Sequence, residues 1–478
     1  MNTFLQPLQS LAEMEEIQKQ AKKNRGILEI SGCMESQKAH LMYGLSGLFP
    51  CHLILADDER SAKEIYEDYR FYDKNVYFYP AKDLLFFQAD IHGNLLIRQR
   101  MRVIRALLEQ EEVTVVTSID GCMDFLMPLE KIRSRLLHFK SDSVIDLDQL
   151  KEELVELGYE RTGQVELPGQ FSVRGGIIDI YPLTEDNPWR IELWDDEVDS
   201  IRSFDAESQR SLENVDEITI YPAVEKMDGE DMVSFLDYFP EEKTLVFLDE
   251  LNHLAENGEA NLPEQWLCGF QELQKKLNRR NCVAVSALSP RRSGWKINEE
   301  FDLTVKSVDS YNSSFELLVK DLLQYKSQGY RIALLSGSRT RAERLAKDLS
   351  EEGLNAFYSQ DMDRIISPGE IMVVYGHARR GFQYPLIKFA VMTETDIFGK
   401  EQKKRKKKKK YSGNRIQDFA ELSIGDLVVH EKHGLGIYRG IEKVEVDRVV
   451  KDYIKILDEK SLRLKNMIQD IFDVSKAA

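Results

Sequence analysis

The sequence predicts a multidomain α/β protein in which a parallel-sheet domain is interrupted by an α+β insert. Three observations support this prediction. Short apolar runs alternate with helical segments from residue 26 onward, the pattern changes to period-two stretches near residue 143, and the α/β pattern returns by about residue 225. At 478 residues, the chain is long enough for roughly three domains with hydrophobic cores.

The first domain is predicted from apolar strands that alternate with amphipathic helices. Its predicted strands are GILEI, HLILAD, VYFYP and VTVVTS, and its helices include ERSAKEIYEDYRFY and the segment from Leu95 to Leu108. Strands that are apolar throughout indicate a parallel sheet covered on both faces. After the insert, TLVFLDE and CVAVSAL continue the pattern. We therefore expect one domain that is split between residues 1–142 and 226–308.

The insert, expected over residues 143–225, begins with the helical segment LDQLKEELVELG. The stretches QFSVRGGIIDIYPL and WRIELWDDEVDSIRSF follow, with turns predicted at Gly175-Gly176 and at Asp195-Asp196-Glu197. Apolar and polar residues alternate along both stretches. This period-two pattern is typical of antiparallel strands with one buried face.

One strand of the insert has a composition suited to protein binding. If Ile191 and Leu193 pack inward, then Arg190, Glu192 and Trp194 lie on the outer face. An exposed Trp next to arginines is typical of binding hot spots. The alternative is an ordinary sheet face that carries one amphipathic Trp.

A second, smaller α/β domain is expected over residues 309–398. Its strands are RIALLSG, NAFYS, IMVVYG and FAVMTET, and its helix RTRAERLAKDLSEEG is expected to end at Gly353. A linker (399–416) containing the basic run KKRKKKKK (403–410) follows. The last segment, 417–478, is rich in predicted strands and punctuated by Gly, which is typical of a small barrel of the SH3 or Tudor kind.

The segment SGCMESQKAH (Ser31–His40) matches a phosphate-binding loop only in part. A working loop has Gly, four residues, and then Gly-Lys-Ser/Thr. Gln37 stands where the second glycine belongs, and a left-handed backbone there would cost roughly 1–2 kcal/mol. Ala39 lacks the hydroxyl that ligates Mg²⁺. Lys38 therefore retains the charge of the motif without the glycine backbone and hydroxyl that would complete a phosphate site.

A second partial match supports an ancestral nucleotide site. LVFLDE ends in Asp249 and Glu250, and such acids hold Mg²⁺ and activate water in motor ATPases. Without a hydroxyl at residue 39, we expect an inert remnant and no catalytic residue. The residues of this degenerate nucleotide site are Gly32, Gln37, Lys38, Ala39, Asp249 and Glu250.

Composition narrows the classes of partner. The formal charge of −17 argues against nucleic-acid binding by the whole surface, although residues 403–410 could bind phosphates or could form a solvated linker.

The cysteines have no CxxC spacing, and His430 and His433 have no clustered acidic or Cys partners, so no disulfide framework or metal site is predicted. The N-terminus lacks the features of a signal peptide and no apolar run approaches a membrane span, so we expect a cytoplasmic protein without a membrane partner.

Two stretches carry a family resemblance. FSVRGGIIDIYP with RIELWDDEVDSIRSFDAESQRS closely resembles the UvrA-binding insert shared by the excision-repair protein UvrB and the bacterial transcription-repair coupling factors. MTETDIFG, the basic linker and IGDLVVHEKHGLGIYRGI resemble the coupling factors alone. The resemblance extends to about residue 456. It implies a UvrB-like, RecA-like first domain with a degenerate loop, and a CarD-like, RNA polymerase-interacting domain at the C-terminus.

The resemblance also implies binding residues. Arg174, Arg190 and Trp194 fall on positions that contact UvrA in the family, where Phe often stands at the last position. Arginines that face a partner's carboxylates make charge-assisted hydrogen bonds worth roughly 1.5–3 kcal/mol each. The strand DYIKI falls where the family module pairs with the polymerase β subunit, which assigns RNA polymerase binding to Tyr453, Ile454, Lys455 and Ile456.

Two departures from the family shape the expected function. After DYIKI the chain reads LDEKSLRLKNMIQDIFDVSKAA instead of continuing the barrel, and no ATP-driven DNA translocase follows within the 478 residues. We therefore expect a truncated adaptor for transcription-coupled nucleotide excision repair, which recognises RNA polymerase stalled at DNA lesions and recruits UvrA. It would not be an enzyme on its own, and ATP and Mg²⁺ would belong only to the absent translocase. The alternatives are an ATP-dependent translocase or helicase fragment, and a DNA-binding module that uses the basic run.

Overall fold

The computed structural model describes most of the chain. The described residues are 2–23, 25–82, 93–224, 232–260, 268–288 and 294–399, together with the backbone of residues 427–430, 434–446 and 449–458. The chain divides into two compact units, Met1–Glu401 and Gln402–Ala478. Of the sequence-based assignments, the basic run (403–410) and His433 lie outside the described residues.

The chain first builds part of an α/β lobe, which we call the first lobe. Its described helices are α1 (Leu5–Leu8), α2 (Met14–Lys23), α3 (Glu35–Ser46), α4 (Glu59–Tyr72), α5 (Gly93–Glu109), α6 (Ile119–Met123) and α7 (Leu129–Arg133). Its strands are β1 (Gly26–Ser31), β2 (Cys51–Ala56), β3 (Val76–Tyr79), β4 (Val113–Ser118) and β5 (Phe125–Leu126). All residues of β1, β2 and β4 are buried, because helices cover both faces of the sheet.

The insert follows. It contains β6 (Leu137–Lys140), α8 (Leu147–Glu156), β7 (Glu160–Arg161), β8 (Gln170–Arg174), β9 (Ile177–Ile180), β10 (Trp189–Trp194), β11 (Glu197–Phe204), β12 (Ser211–Val215) and β13 (Glu217–Ile220). Six strands form a sheet in the order β12-β11-β10-β9-β8-β7. Its pairings are antiparallel, as predicted, except for the short parallel pair β7–β8. Ile178, Ile191 and Ile201 are at most 1% exposed and form the inner face.

The chain then returns to the first lobe. Its elements here are β14 (Val233–Ser234), a 3-10 helix (Phe235–Tyr238), β15 (Thr244–Asp249), α9 (Leu251–Ala260), α10 (Phe270–Leu277), β16 (Asn281–Val285) and β17 (Ile297–Asp302). Strands from both sides of the insert join one parallel sheet in the order β17-β1-β16-β15-β2-β4-β3. The predicted parallel sheet is therefore confirmed. The first lobe comprises this sheet and helices α1 to α7, α9 and α10, without the insert.

The second lobe is the smaller α/β domain. It comprises β18 (Lys306–Ser307), α11 (Phe315–Ser327), β19 (Arg331–Ser336), α12 (Arg339–Glu351), β20 (Asn355–Tyr358), β21 (Glu370–Tyr375), β22 (Phe382–Tyr384), β23 (Phe389–Thr393) and α13 (Glu394–Phe398). Its sheet has the order β18-β22-β23-β19-β21-β20, in which β22 is antiparallel to both of its neighbours. Helix α12 ends as predicted, with Gly353 in the left-handed region at φ +79°.

The two lobes share a hydrophobic core. Leu41 and Met42 of α3 are fully buried and belong to the same cluster as Phe382 and Phe389 of the second lobe. Phe4 near the N-terminus is also fully buried in this cluster, and its ring packs edge-on against Phe71. The second lobe is therefore packed directly against the helix that follows the degenerate loop.

The C-terminal unit contains three described strands: β24 (Leu427–His430), β25 (Gly434–Val446) and β26 (Val449–Asp458). They form an antiparallel sheet in the order β24-β25-β26. Tyr453 and Ile454 of β26 pair with Glu442 and Ile441 of β25. The rest of the predicted barrel lies outside the described residues, so its closure stays a prediction. In the part of the chain that the structure describes, no helix is both long and apolar enough to cross a membrane.

Candidate functional site

The outer face of the insert presents Trp194. Strand β10 alternates as predicted, with Ile191 fully buried on the inner face and Trp194 80% exposed on the outer face. Trp194 pairs with Glu197 next to a tight turn in which Asp195 has a left-handed backbone at φ 60°. An indole that is this exposed is available to a partner and contributes little to the fold.

A buried carboxylate organises the two predicted arginines. Asp179 pairs directly with Arg190 across β9 and β10, and its side chain is 1% exposed. Arg190 donates through Nε to Asp179 Oδ1 at 2.6 Å and through Nη2 to Oδ2 at 2.9 Å. Arg174 Nη2 donates to Asp179 Oδ2 at 2.8 Å. Two guanidinium groups thus compensate one carboxylate that is removed from water.

The two arginines are not equally accessible. The Arg190 side chain is 13% exposed, its guanidinium lies 4.3 Å from the centre of the Phe204 ring, and it also donates to Gln209. Its hydrogen bonds with Asp179 raise the pKa of Arg190. The Arg174 side chain is 48% exposed. Of the three residues predicted to contact UvrA, Arg174 and Trp194 are open to a partner, whereas Arg190 is mostly engaged inside the insert.

The degenerate loop is shorter than a phosphate-binding loop. Strand β1 ends at Ser31 and α3 begins at Glu35, so Gly32, Cys33 and Met34 alone connect them. The amide of Cys33 donates to Ser286 O at 3.1 Å, and the amide of Met34 donates to Gln37 Oε1 at 3.0 Å. Both amides therefore have protein partners and do not form a free cradle for phosphate.

Gly32 has a structural explanation of its own. Its φ is +75°, and a Cβ at this position would lie 2.1 Å from the carbonyl oxygen of Leu303. A side chain is thus excluded both by the backbone conformation and by the close approach of the chain after β17. The presence of glycine here needs no phosphate to account for it.

Lys38 is held by the two acids predicted to accompany it. Its Nζ lies 2.6 Å from Asp249 Oδ1 and 2.6 Å from Glu250 Oε1, and the side chains of Lys38 and Asp249 are 9% and 8% exposed. Burial opposes the charge on Lys38, but the two carboxylates outweigh it and raise the pKa of the amine. Of the six residues assigned to the degenerate nucleotide site, Lys38, Asp249 and Glu250 line a cleft of about 340 Å³, whereas Gly32, Gln37 and Ala39 do not. There the lysine neutralises the acids.

Gln37 and His40 connect α3 to the second lobe. Gln37 Nε2 donates to the Tyr384 hydroxyl at 2.9 Å, and that oxygen lies 3.1 Å from His40 Nδ1. His40 Nε2 lies 2.8 Å from Phe4 O and donates to it. All these side chains are fully buried, and burial lowers the pKa of His40 to about 4. The segment expected to be an inert remnant thus contributes polar contacts between the lobes.

Arg379 and Arg380 of the second lobe add contacts that sequence reasoning missed. Arg379 donates through its amide and through Nε to Asp68 of α4, each at 2.9 Å, and its guanidinium also pairs with Glu64. The amide of Arg380 donates to Ser36 Oγ at 3.1 Å. Asp68 is 1% exposed. In the sequence these arginines are ordinary loop residues, so only the fold identifies their partners.

The described residues contain no group of three or more His, Cys, Asp or Glu side chains placed to hold a metal ion. All five cysteines, Cys33, Cys51, Cys122, Cys268 and Cys282, are buried thiols.

Comparison with known proteins identifies two domains. Residues 137–225 match the family model of the UvrB interaction domain, and residues 422–464 match that of the CarD-like/TRCF RID domain. The first match covers the insert with Arg174, Arg190 and Trp194. The second covers strands β24 to β26.

Curated relatives match over most of the chain. A transcription-repair-coupling factor of Bacillus subtilis is 29% identical, and the alignment covers 94% of this chain and 46% of the relative. One from Staphylococcus epidermidis is 28% identical over 80% of this chain and 39% of the relative. Among solved structures, yeast Dbp5 in a complex matches with 10% identity and a TM-score of 0.24.

The chain spans about half or less of the length of these curated relatives. The two family models match one segment in each compact unit. The chain carries a UvrB interaction domain and a CarD-like/TRCF RID domain, and over most of its length it is similar to the transcription-repair-coupling factors.

Proposed function

We propose that these 478 residues recruit UvrA in transcription-coupled nucleotide excision repair. The observation that carries this proposal is the exposed pair Arg174 and Trp194 on the outer face of a UvrB interaction domain. An exposed Trp supplies a large, rigid contact area, and a guanidinium supplies directional donors for a partner's carboxylates. Arg190 supports this face from inside, through Asp179 and Phe204.

Titration of purified UvrA against the full chain tests the proposal. Trp194→Ala is expected to weaken binding about 30-fold or more, as at an interface hot spot, and Arg174→Ala about 10-fold. Leu386→Ala is the control, because Leu386 is 69% exposed but belongs to the second lobe. Circular dichroism establishes that each variant is folded. Unchanged UvrA binding by both insert variants would contradict the proposal.

We also propose that the CarD-like domain binds the RNA polymerase β subunit through Tyr453–Ile456. Strand β26 is at the end of the described three-stranded sheet, so a partner strand can extend it through backbone hydrogen bonds. In an antiparallel strand, neighbouring residues point their amides to opposite sides. Of the single variants Ile454→Pro and Lys455→Pro, one removes an amide that faces β25 and the other an amide that faces outward.

The outward-facing proline variant is expected to keep the strand content measured by circular dichroism and to lose polymerase binding in a pull-down assay. The other variant is expected to disturb the domain itself. If both variants bind polymerase like the unmodified chain, this strand is not the contact.

We further propose that the Ser31–His40 segment does not hydrolyse ATP. The loop amides of Cys33 and Met34 have protein partners, and Lys38 is paired with Asp249 and Glu250. No ATPase activity above background is expected from the purified chain, with or without double-stranded DNA. Activity that disappears in Glu250→Gln would overturn this proposal and favour the motor alternative. The DNA-binding alternative predicts salt-sensitive DNA affinity that is lost when residues 403–410 are deleted.

A further inference from the structure

Val144 and Trp194 lie in one row across the insert. Val144 forms an antiparallel bridge with Glu197, and Glu197 pairs directly with Trp194. Directly paired residues on neighbouring strands project from the same face of a sheet. The segment before α8 is fixed in this register because Val198 N donates to Ser143 O at 2.9 Å and Ile145 N donates to Asp196 O at 2.8 Å.

Both apolar ends of this row are open. Val144 is 71% exposed and Trp194 is 80% exposed. Beyond Trp194 lies the turn at Gly175 and Gly176, which has no side chain to cover the indole, and the space where a Gly175 Cβ would stand is empty. Two strand spacings separate Val144 from Trp194, or about 10 Å. Single exposed apolar residues are common on protein surfaces. Here two of them flank one carboxylate at fixed positions, so a partner can contact all three groups at once.

The surroundings of the row are acidic. The exposed carboxylates nearby are Asp142, Asp195, Asp196, Glu197 and Asp199. Within the described part of the chain, none of these five is in an ion pair. Arg202, the nearest cation along β11, is paired with Glu192. The row therefore presents two apolar contacts with unneutralised negative charge between and around them.

We propose that Val144 is a second apolar anchor of the partner-binding face, and that Glu197 receives a Lys or Arg side chain of UvrA between the two anchors. The complementary surface has two apolar depressions about 10 Å apart, the spacing of two strands, with a cationic group between them. Because the occupant is UvrA, the assignment of Val144 rests on the proposed function. Sequence reasoning passed over Val144 because it lies in a connecting segment that pairs with β11 only in the folded insert.

UvrA titrations with the full chain test this assignment. Val144→Ala is expected to weaken binding about 5-fold, and Val144→Asp about 20-fold or more, as apolar contact is lost from the interface. Glu197→Gln is expected to weaken binding about 5-fold and to reduce its dependence on salt. Val155→Ala is the matched control, since Val155 is 57% exposed on α8 of the same insert but outside the row. It is expected to change affinity less than 2-fold.

The outcomes separate the two proposals. If Val144→Ala and Val144→Asp bind UvrA like Val155→Ala while Trp194→Ala loses binding, Val144 is no anchor and the proposed function stands. If Trp194→Ala and Arg174→Ala also bind normally, the proposed function itself fails. If Glu197→Gln binds as tightly as the unmodified chain at every salt concentration, the cationic contact is wrong. Circular dichroism of each variant shows whether a loss reflects unfolding of the insert.

Discussion

Asp179→Ala is expected to destabilise the insert by about 3–5 kcal/mol, since removal of one partner leaves a largely buried charge without compensation. Arg190 is 13% exposed and would keep its guanidinium between Phe204 and Gln209 with no carboxylate. Arg174, which donates to the same carboxylate, would lose its orientation. UvrA affinity is expected to fall as well, although Asp179 itself is too buried to touch a partner.

Urea unfolding of the full chain, followed by tryptophan fluorescence and circular dichroism, measures this effect. Glu192→Ala is the matched control, because it removes another carboxylate from the same outer face. Glu192 pairs with Arg202, and their side chains are 31% and 21% exposed, so its loss is expected to cost about 1 kcal/mol. Equal costs for the two variants would show that Asp179 is not the organising group of this face.

The sequence predicted the framework of the first lobe and the insert because these rest on local patterns. Strands such as β1 and β15 are apolar throughout and are buried on both faces. The alternation in β10 likewise placed Trp194 on the outside correctly. Such patterns depend on residues that are close together in the chain, so they can be recognised without knowing the fold.

The sequence could not predict how polar groups are shared over long distances. Asp179 reads as one polar residue in an apolar strand, and its role appears only when β10 and the end of β8 lie beside it. Gln37 and Tyr384 are 347 residues apart, and Arg379 and Asp68 are 311 apart. No local pattern relates such pairs, and each depends on the packing of the second lobe against the first.

Gln37 has a role in the structure that the sequence does not show. In the sequence, it stands where a working phosphate-binding loop has its second glycine. In the fold, Gln37 Oε1 accepts from the amide of Met34 at the start of α3, and Nε2 donates to Tyr384 in the second lobe. Met34 lies at the N-terminus of the helix, where amides lack helical partners. Gln37 therefore stabilises both the start of the helix and the contact between the lobes.

Lys38→Ala is expected to destabilise the chain by about 3–5 kcal/mol at neutral pH, because it leaves two neighbouring carboxylates without their cation. The Asp249 side chain is 8% exposed, and the next residue, Glu250, has a left-handed backbone at φ 51°. Like charges so placed repel each other strongly. The loss is expected to shrink when pH falls from 7 to 5, because burial raises the pKa of Asp249 and its protonation removes the repulsion. Urea unfolding at both pH values measures it.

The triple variant Lys38→Met, Asp249→Asn, Glu250→Gln separates charge from packing. It removes all three charges and keeps side chains of similar volume, so that no buried carboxylate is left without a cation. Most of the stability lost in Lys38→Ala should therefore return. If Lys38→Ala costs less than about 1 kcal/mol, the charges are as well solvated as surface pairs. Lys38 would then be held only weakly by the two acids and could reach an anion in the cleft. A large cost that the triple variant recovers would mean that Lys38 serves to neutralise Asp249 and Glu250.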